Sequence, residues 1–193
     1  MRFKISILYI FITSVCSAQT ISSVHAGVPY DTITLKNNYE LIFSKTDALR
    51  VIQLVGHAKD TIIMAESISS SEKAVGWLEA DFDDYFVLYF TYDDDYTFMM
   101  HIFNKQNGKR IYTGTVIALD SINEVIFFKD LNMDNTLSLF DFKKDRIEKY
   151  MPPASPCLHW WYCIKKIAIA DKSFTIEYTG NNNARLKKIY IRK

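Results

Sequence analysis

The densest set of metal-competent side chains in this sequence is the segment Asp130-Leu131-Asn132-Met133-Asp134-Asn135-Thr136-Leu137-Ser138-Leu139-Phe140-Asp141. Asp130, Asn132, Asp134, Ser138 and Asp141 place oxygen-bearing side chains at positions one, three, five, nine and twelve, with Thr136 at seven. Calcium collects about six to eight hard oxygen ligands, and one loop can supply them from alternate side chains plus a carbonyl. Ca2+ is therefore the cofactor this spacing points to. Asn135, at the sixth position, tolerates the left-handed backbone that such a sharp turn needs. A competing reading is a hairpin turn whose Asp and Asn side chains cap their own backbone. Alternation along a strand would then send Ser138 and Asp141 to opposite faces.

Over those twelve residues the spacing resembles the calcium loops of EF-hands and dockerins, and the aspartate-rich turns of calcium-binding propeller repeats. The resemblance implies Asp130, Asn132, Asp134, Thr136, Ser138 and Asp141 as ligands, and it extends to no other part of the chain.

Two other groups of residues could make contacts. Asp93, Asp94 and Asp95 form an acidic turn, and together with Asp130, Asp134 and Asp171 they are expected on one rim, attractive to cations or to a basic partner surface. Cys157 and Cys163 bracket Leu158-His159-Trp160-Trp161-Tyr162. Trp160, Trp161 and Tyr162 are residue types that anchor interfaces, and a disulfide between the two cysteines would hold them preorganised. The plainer reading has those aromatics filling the core.

Signals for catalysis are sparse. His25, His57, His101 and His159 form no metal-spaced pair, and there is no nucleophile elbow, phosphate-binding glycine loop or dinucleotide fingerprint. His101 lies in an apolar strand and reads as a hydrogen-bonded core residue. A hydrolase working through the acidic rim stays the least supported reading.

The beginning of the chain reads as an address. Met1 to Lys4 is short and basic, Ile5 to Val15 is apolar, and Cys16-Ser17-Ala18 supplies the small residues of a cleavage site. Residues 1–18 are thus expected to be a signal peptide, since the apolar stretch is well short of the roughly 20 residues of a membrane span. Val15 is too bulky for lipidation at Cys16. Cleavage removes Arg2 and Lys4, taking the net charge from +1 to −1. It also leaves only Cys157 and Cys163 of the three cysteines, an even number in an oxidising periplasmic or secreted setting. The balance of 23 Lys+Arg against 22 Asp+Glu removes the usual argument for a nucleic-acid binder.

The elements that must position these residues read as strands. After a flexible lead-in over 19–31, one all-β domain is expected over 32–193. Strands are expected at Thr32 to Leu35, Tyr39 to Ser44, Leu49 to Val55 and Thr61 to Glu66. Ser69-Ser70-Ser71-Glu72 reads as the cap of a short helix running through Leu78. Tyr85 to Phe90 is apolar throughout, the mark of a strand buried on both faces. Three-strand units then recur. Their first strands are Tyr85 to Phe90, Val125 to Phe128 and Ile164 to Ala170. Arg110, Arg146 and Arg185 open the third strands. A period of about 39 residues suits an antiparallel meander of β-repeats, built as a propeller or as an irregular barrel or sandwich.

These features point to an exported, non-catalytic binding protein of the cell envelope with a protein partner, of inhibitor or immunity type. A calcium-stabilised module for glycans or envelope polymers is the first alternative, and the acidic-rim hydrolase the second.

Overall fold

The structure is a computed structural model, and it describes residues 28–45, 49–56, 61–69, 77–91, 98–133, 135–170 and 172–193. Residues 1–27 and Asp93, Asp94, Asp95, Asp134 and Asp171 lie outside that set. The described chain is all-β, with short 3₁₀ turns and no α-helix.

The strands are β1 (Val28–Leu35), β2 (Tyr39–Lys45), β3 (Leu49–Val55), β4 (Thr61–Ser69), β5 (Trp77–Asp81), β6 (Tyr85–Thr91) and β7 (Phe98–Asn104). They continue with β8 (Arg110–Asp120), β9 (Val125–Asp130), β10 (Leu137–Asp141), β11 (Arg146–Tyr150), β12 (Ile164–Ile169), β13 (Ser173–Thr179) and β14 (Arg185–Ile191). They form three antiparallel meanders: a four-stranded N-terminal sheet β1–β4, a seven-stranded central sheet β5–β11 and a three-stranded C-terminal sheet β12–β14.

All nine strands of the three units are present, and Arg110, Arg146 and Arg185 open β8, β11 and β14. The first two units are nevertheless not separate blades. β8 runs on for 11 residues and pairs with β9, which joins both units into one sheet. A register shift between Val116 and Ala118 bends that junction. Other boundaries also differ from expectation, among them β4, which runs on to Ser69, the residue expected to cap a helix. β1 begins at Val28 and pairs with β2, so residues 28–31 belong to the sheet rather than to a lead-in. Trp77 and Leu78, expected to close a helix, are strand residues of β5.

Turns close these hairpins with few glycines. Left-handed backbone occurs at Asn37, Asn38, Glu124, Asn135, Asp145, Asn182 and Asn183, and at Gly108 of the Asn-Gly turn. Asn and Asp reach this region because their short side chains hydrogen-bond locally.

The two faces of the central sheet do different work. On one face Tyr85, Val87, Met100, Ile102, Ile126, Phe128, Phe140 and Phe142 form a single cluster. Phe82 stacks on Phe142 at 3.9 Å between ring centroids, and the Tyr85 hydroxyl donates to Asp145 Oδ1 at 2.5 Å. Those contacts join β5–β6 to the β10–β11 turn across the sheet, so it curls with this face concave, without closing into a barrel. On the convex face, Phe86, Leu88 and Phe90 meet Leu41, Phe43, Ile52 and Leu54 of the N-terminal sheet. Val125, Phe127, Leu137 and Leu139 meet Phe174, Ile176 and Tyr190 of the C-terminal sheet. β6 is apolar from Tyr85 to Phe90 because both of its faces are covered.

Gly114 marks the close approach that sustains the curl. A Cβ there would collide with the Lys129 carbonyl oxygen and sit 2.7 Å from Phe128 Cδ2.

Candidate functional site

The cystine turn carries the most exposed large hydrophobic side chain among the described residues, Leu158. Cys157 and Cys163 are bonded, with Cα atoms 5.9 Å apart. Trp160 to Cys163 forms one 3₁₀ turn. Trp160 is buried in the same core cluster as Phe174, Tyr190 and Leu139, which ties the turn to the core beneath the C-terminal sheet. Trp161 is half-buried; His159 stacks on it at 4.7 Å, Trp160 meets it edge-on at 5.6 Å, and Lys129 Nζ lies 5.2 Å from its ring centroid. Tyr162 is exposed. The three aromatics expected to act together are therefore divided, one in the core, one at its margin and one in solvent.

The side chain that projects furthest is Leu158, 93% exposed between the two anchors. Met151, 74% exposed, stands near it across a groove of about 310 Å³ that Asn135, Pro153, Ser155 and Trp160 also line. Sequence reasoning overlooked both residues. Their signal was present in Leu158 as the one aliphatic residue inside the disulfide, and in Met151 preceding Pro152-Pro153. The prolines limit the conformations that the segment loses on binding.

The described members of the expected calcium set are spread over a turn and a strand. Asp130 is buried, its carboxylate accepts the Asn132 N–H at 2.9 Å, and its carbonyl accepts the Met133 N–H at 3.2 Å. This is the self-capped turn. Asn132 is exposed, Asn135 is left-handed at φ 53°, and Thr136 is half-buried ahead of β10. Ser138 and Asp141 fall inside β10 on opposite faces, because Ser138 pairs with Phe128 and Asp141 with Val125. Asp141 is claimed by Arg192 and by the Lys144 N–H. Among the described residues no group of three His, Cys, Asp or Glu could hold a metal. Asp134 and the acidic turn Asp93–Asp95 lie outside the described residues.

His101 is a core residue, as expected. Its ring packs 4.6 Å from Phe90, and its Nδ1 lies 3.5 Å from the Arg110 guanidinium.

Two polar seams escaped the sequence reading. Lys105, whose side chain is 1% exposed, donates to the carbonyls of Phe82 at 2.5 Å and Lys36 at 3.1 Å, and pairs with Asp81 at 2.6 Å. Asp81 also accepts the Lys36 N–H at 2.6 Å, which ties the β1–β2 turn to the central sheet. Two hydrogen bonds and one ion pair engage the ammonium, which acts as a structural clamp. The hollow of about 440 Å³ beside it, lined by Asn37, Tyr39, Asp83, Asp84 and Gln106, thus meets an ammonium already in use. At the other end, buried Glu148 accepts from Arg146 at 2.5 Å, from the Tyr150 hydroxyl and from the Lys193 N–H at 2.8 Å. Burial, and then the bond to Glu148, push the Tyr150 phenol well above its ordinary range. Burial takes Tyr190 up to about 12, and its hydroxyl donates to the Met151 carbonyl at 2.9 Å.

Compared with known proteins, the chain matches no family model, no curated protein and no solved structure.

Proposed function

We propose that this chain is an exported, non-catalytic binding protein of the cell envelope that engages a protein partner through its cystine turn, in the manner of an inhibitor or immunity protein. The observation that carries the reading is Leu158, standing almost fully in solvent on a turn closed by a disulfide and anchored by buried Trp160. An exposed leucine ordinarily needs no explanation. One held on a rigid turn beside exposed Met151 and Tyr162 forms an apolar patch whose ordering cost is already met. Its natural counterpart is a partner pocket that accepts an aliphatic knob.

The arrangement favours a protein partner over a glycan. Sugar rings stack on open aromatic faces, whereas Trp160 is buried and Trp161 carries His159 and Lys129 against its ring. The about 39-residue rhythm belongs to this proposal as well, read as worn β-repeats that supply a rigid support for one contact turn.

The test is capture from envelope extract by the immobilised chain lacking residues 1–18, with quantification of what is retained. A single stoichiometric protein is expected, lost on Leu158→Asp while the melting temperature is unchanged. Retention of nothing, or retention of the same protein by Leu158→Asp, overturns the reading.

A further inference from the structure

The charges of this protein are segregated along the chain. Residues 164–193 contain eight of the 23 Lys+Arg but only Asp171 and Glu177 of the 22 acids, so they carry +6 while residues 1–163 carry −5. The C-terminal sheet occupies this basic portion, and pairing shows what its outer face displays. Ile176 is buried against the central sheet and pairs with Ile167, so the neighbouring rows face outward. One outward row is Lys166, Glu177 and Lys187; the next is Ala168, Thr175 and Ile189; Ser173 and Ile191 pair beyond it. Arg185 flanks the first row and binds Glu177 at 2.5 Å, as Lys187 does at 3.0 Å.

The face is therefore divided. Lys166, Lys187 and Arg185 crowd one half, all exposed, and the other half bears Ile189 and Ile191, 68% and 70% exposed. Exposed Lys172 lies beside the isoleucine end, next to β13. A purely ionic partner would use the cations and leave both isoleucines in water. A second copy would set basic strand against basic strand, since β14 contains no acid. An anionic lipid surface matches both halves, because cations meet headgroup phosphates while isolated apolar side chains enter the boundary below them. Without residues 1–18 the rest of the chain carries −7 and is repelled by the same surface, which fixes the orientation with the C-terminal sheet downward.

We propose that the outer face of β12–β14 docks the protein on anionic lipid, through Lys166, Lys187 and Arg185 on phosphates and Ile189 and Ile191 in the headgroup boundary. This surface shares no residue with the cystine turn.

Flotation of the chain lacking residues 1–18 with vesicles of equal parts phosphatidylglycerol and phosphatidylcholine, against phosphatidylcholine alone, tests this directly. Binding is expected only to the anionic vesicles, and it should vanish near 0.5 M salt, where screening acts within about 5 Å. Lys166→Gln with Lys187→Gln should weaken partition about fivefold per cation removed. Ile189→Ser with Ile191→Ser should weaken it at least about tenfold. Glu177→Gln releases Arg185 and Lys187 from their pairing and should strengthen it. All of these positions are at the surface, so unchanged melting temperatures confirm that folding is intact. No flotation with phosphatidylglycerol overturns the proposal. Full binding by the isoleucine variant also overturns it and points instead to an acidic protein or polymer read by charge alone.

Discussion

The two small sheets rest on the same convex face of the central sheet, yet they are fastened by opposite chemistry. The N-terminal sheet is held by an aliphatic and phenylalanine core together with one buried cation, Lys105, which reaches two carbonyls and Asp81. The C-terminal sheet is held by a stack of aromatics, with Phe174 at 4.9 Å from each of Phe127, Tyr150 and Tyr190, and by buried anions. There Asp141 and Glu148 receive Arg192 and the Lys193 N–H. In one seam the central sheet supplies the lysine, and in the other it supplies the carboxylates. The difference teaches that a buried charge of either sign is tolerated here where an opposite charge or backbone polar groups face it, even though Asp81 Oδ1 and the Nε atoms of Arg146 and Arg192 make no hydrogen bond.

The largest expected effect comes from cutting the aromatic stack. Phe174→Ala should cost about 4 kcal/mol in urea unfolding. Hydrogen exchange should rise in β12–β14 while β1–β3 stay protected; equal loss of protection in both sheets would show that the seams are one unit. Next in size is the clamp. Lys105→Met leaves two carbonyls and Asp81 without their shared donor and should cost about 3 kcal/mol, with faster exchange confined to β1–β3. The two substitutions lie in separate seams, so their costs should add to within about 0.5 kcal/mol, and a larger coupling would break the comparison.

Opening the disulfide is a smaller perturbation. Closing so short a loop is worth about 2 kcal/mol in chain entropy, and Cys157→Ser with Cys163→Ser should lower the melting temperature by that measure. Leu158-dependent capture should suffer more than stability, because preorganisation of the turn is lost as well.

Alkali acts last, and it acts unequally. Burial raises Tyr190 to about 12, and burial together with the bond to Asp145 raises Tyr85 to about 12. An unfolded tyrosine ionises near about 10, so the stabilisation is fully present below pH 10 and is lost as pH rises through 12. Tyr190 and Tyr150 belong to the C-terminal seam, whereas Tyr85 sits in the concave core. Near-ultraviolet difference spectra against pH should therefore show phenolate appearing together with loosening of β12–β14, ahead of β1–β3. Simultaneous release of both sheets would contradict the separation.

Local rules made much of this fold legible. β6 announced itself because a strand covered on both faces is apolar at every position, and Tyr85 to Phe90 has no polar interruption. β11 and β14 were bounded to the residue by Asp- and Asn-bearing turns, whose preference for left-handed backbone is a property of the residue itself. β5 was not legible. Its five residues follow a Ser-Ser-Glu sequence that also suits a helix cap, and only pairing with β6 decides between the two. The candidate calcium loop shows the same limit. Its spacing is right in sequence, but two of its oxygens lie within a strand, where alternation divides them.

What the sequence alone determined was the strand class, the turns ahead of β8, β11 and β14, the core character of His101 and the Cys157–Cys163 pairing, because each follows from contacts within a few residues. Only the tertiary structure decided that two repeat units merge into one curled sheet, that both small sheets share its convex face, and that Leu158 stands in solvent while Trp160 is buried. It also decided that Lys105, which looks like any turn lysine, is a buried clamp. Those outcomes depend on which distant surfaces meet, and alternation along a strand says which face a side chain takes, not what will cover that face.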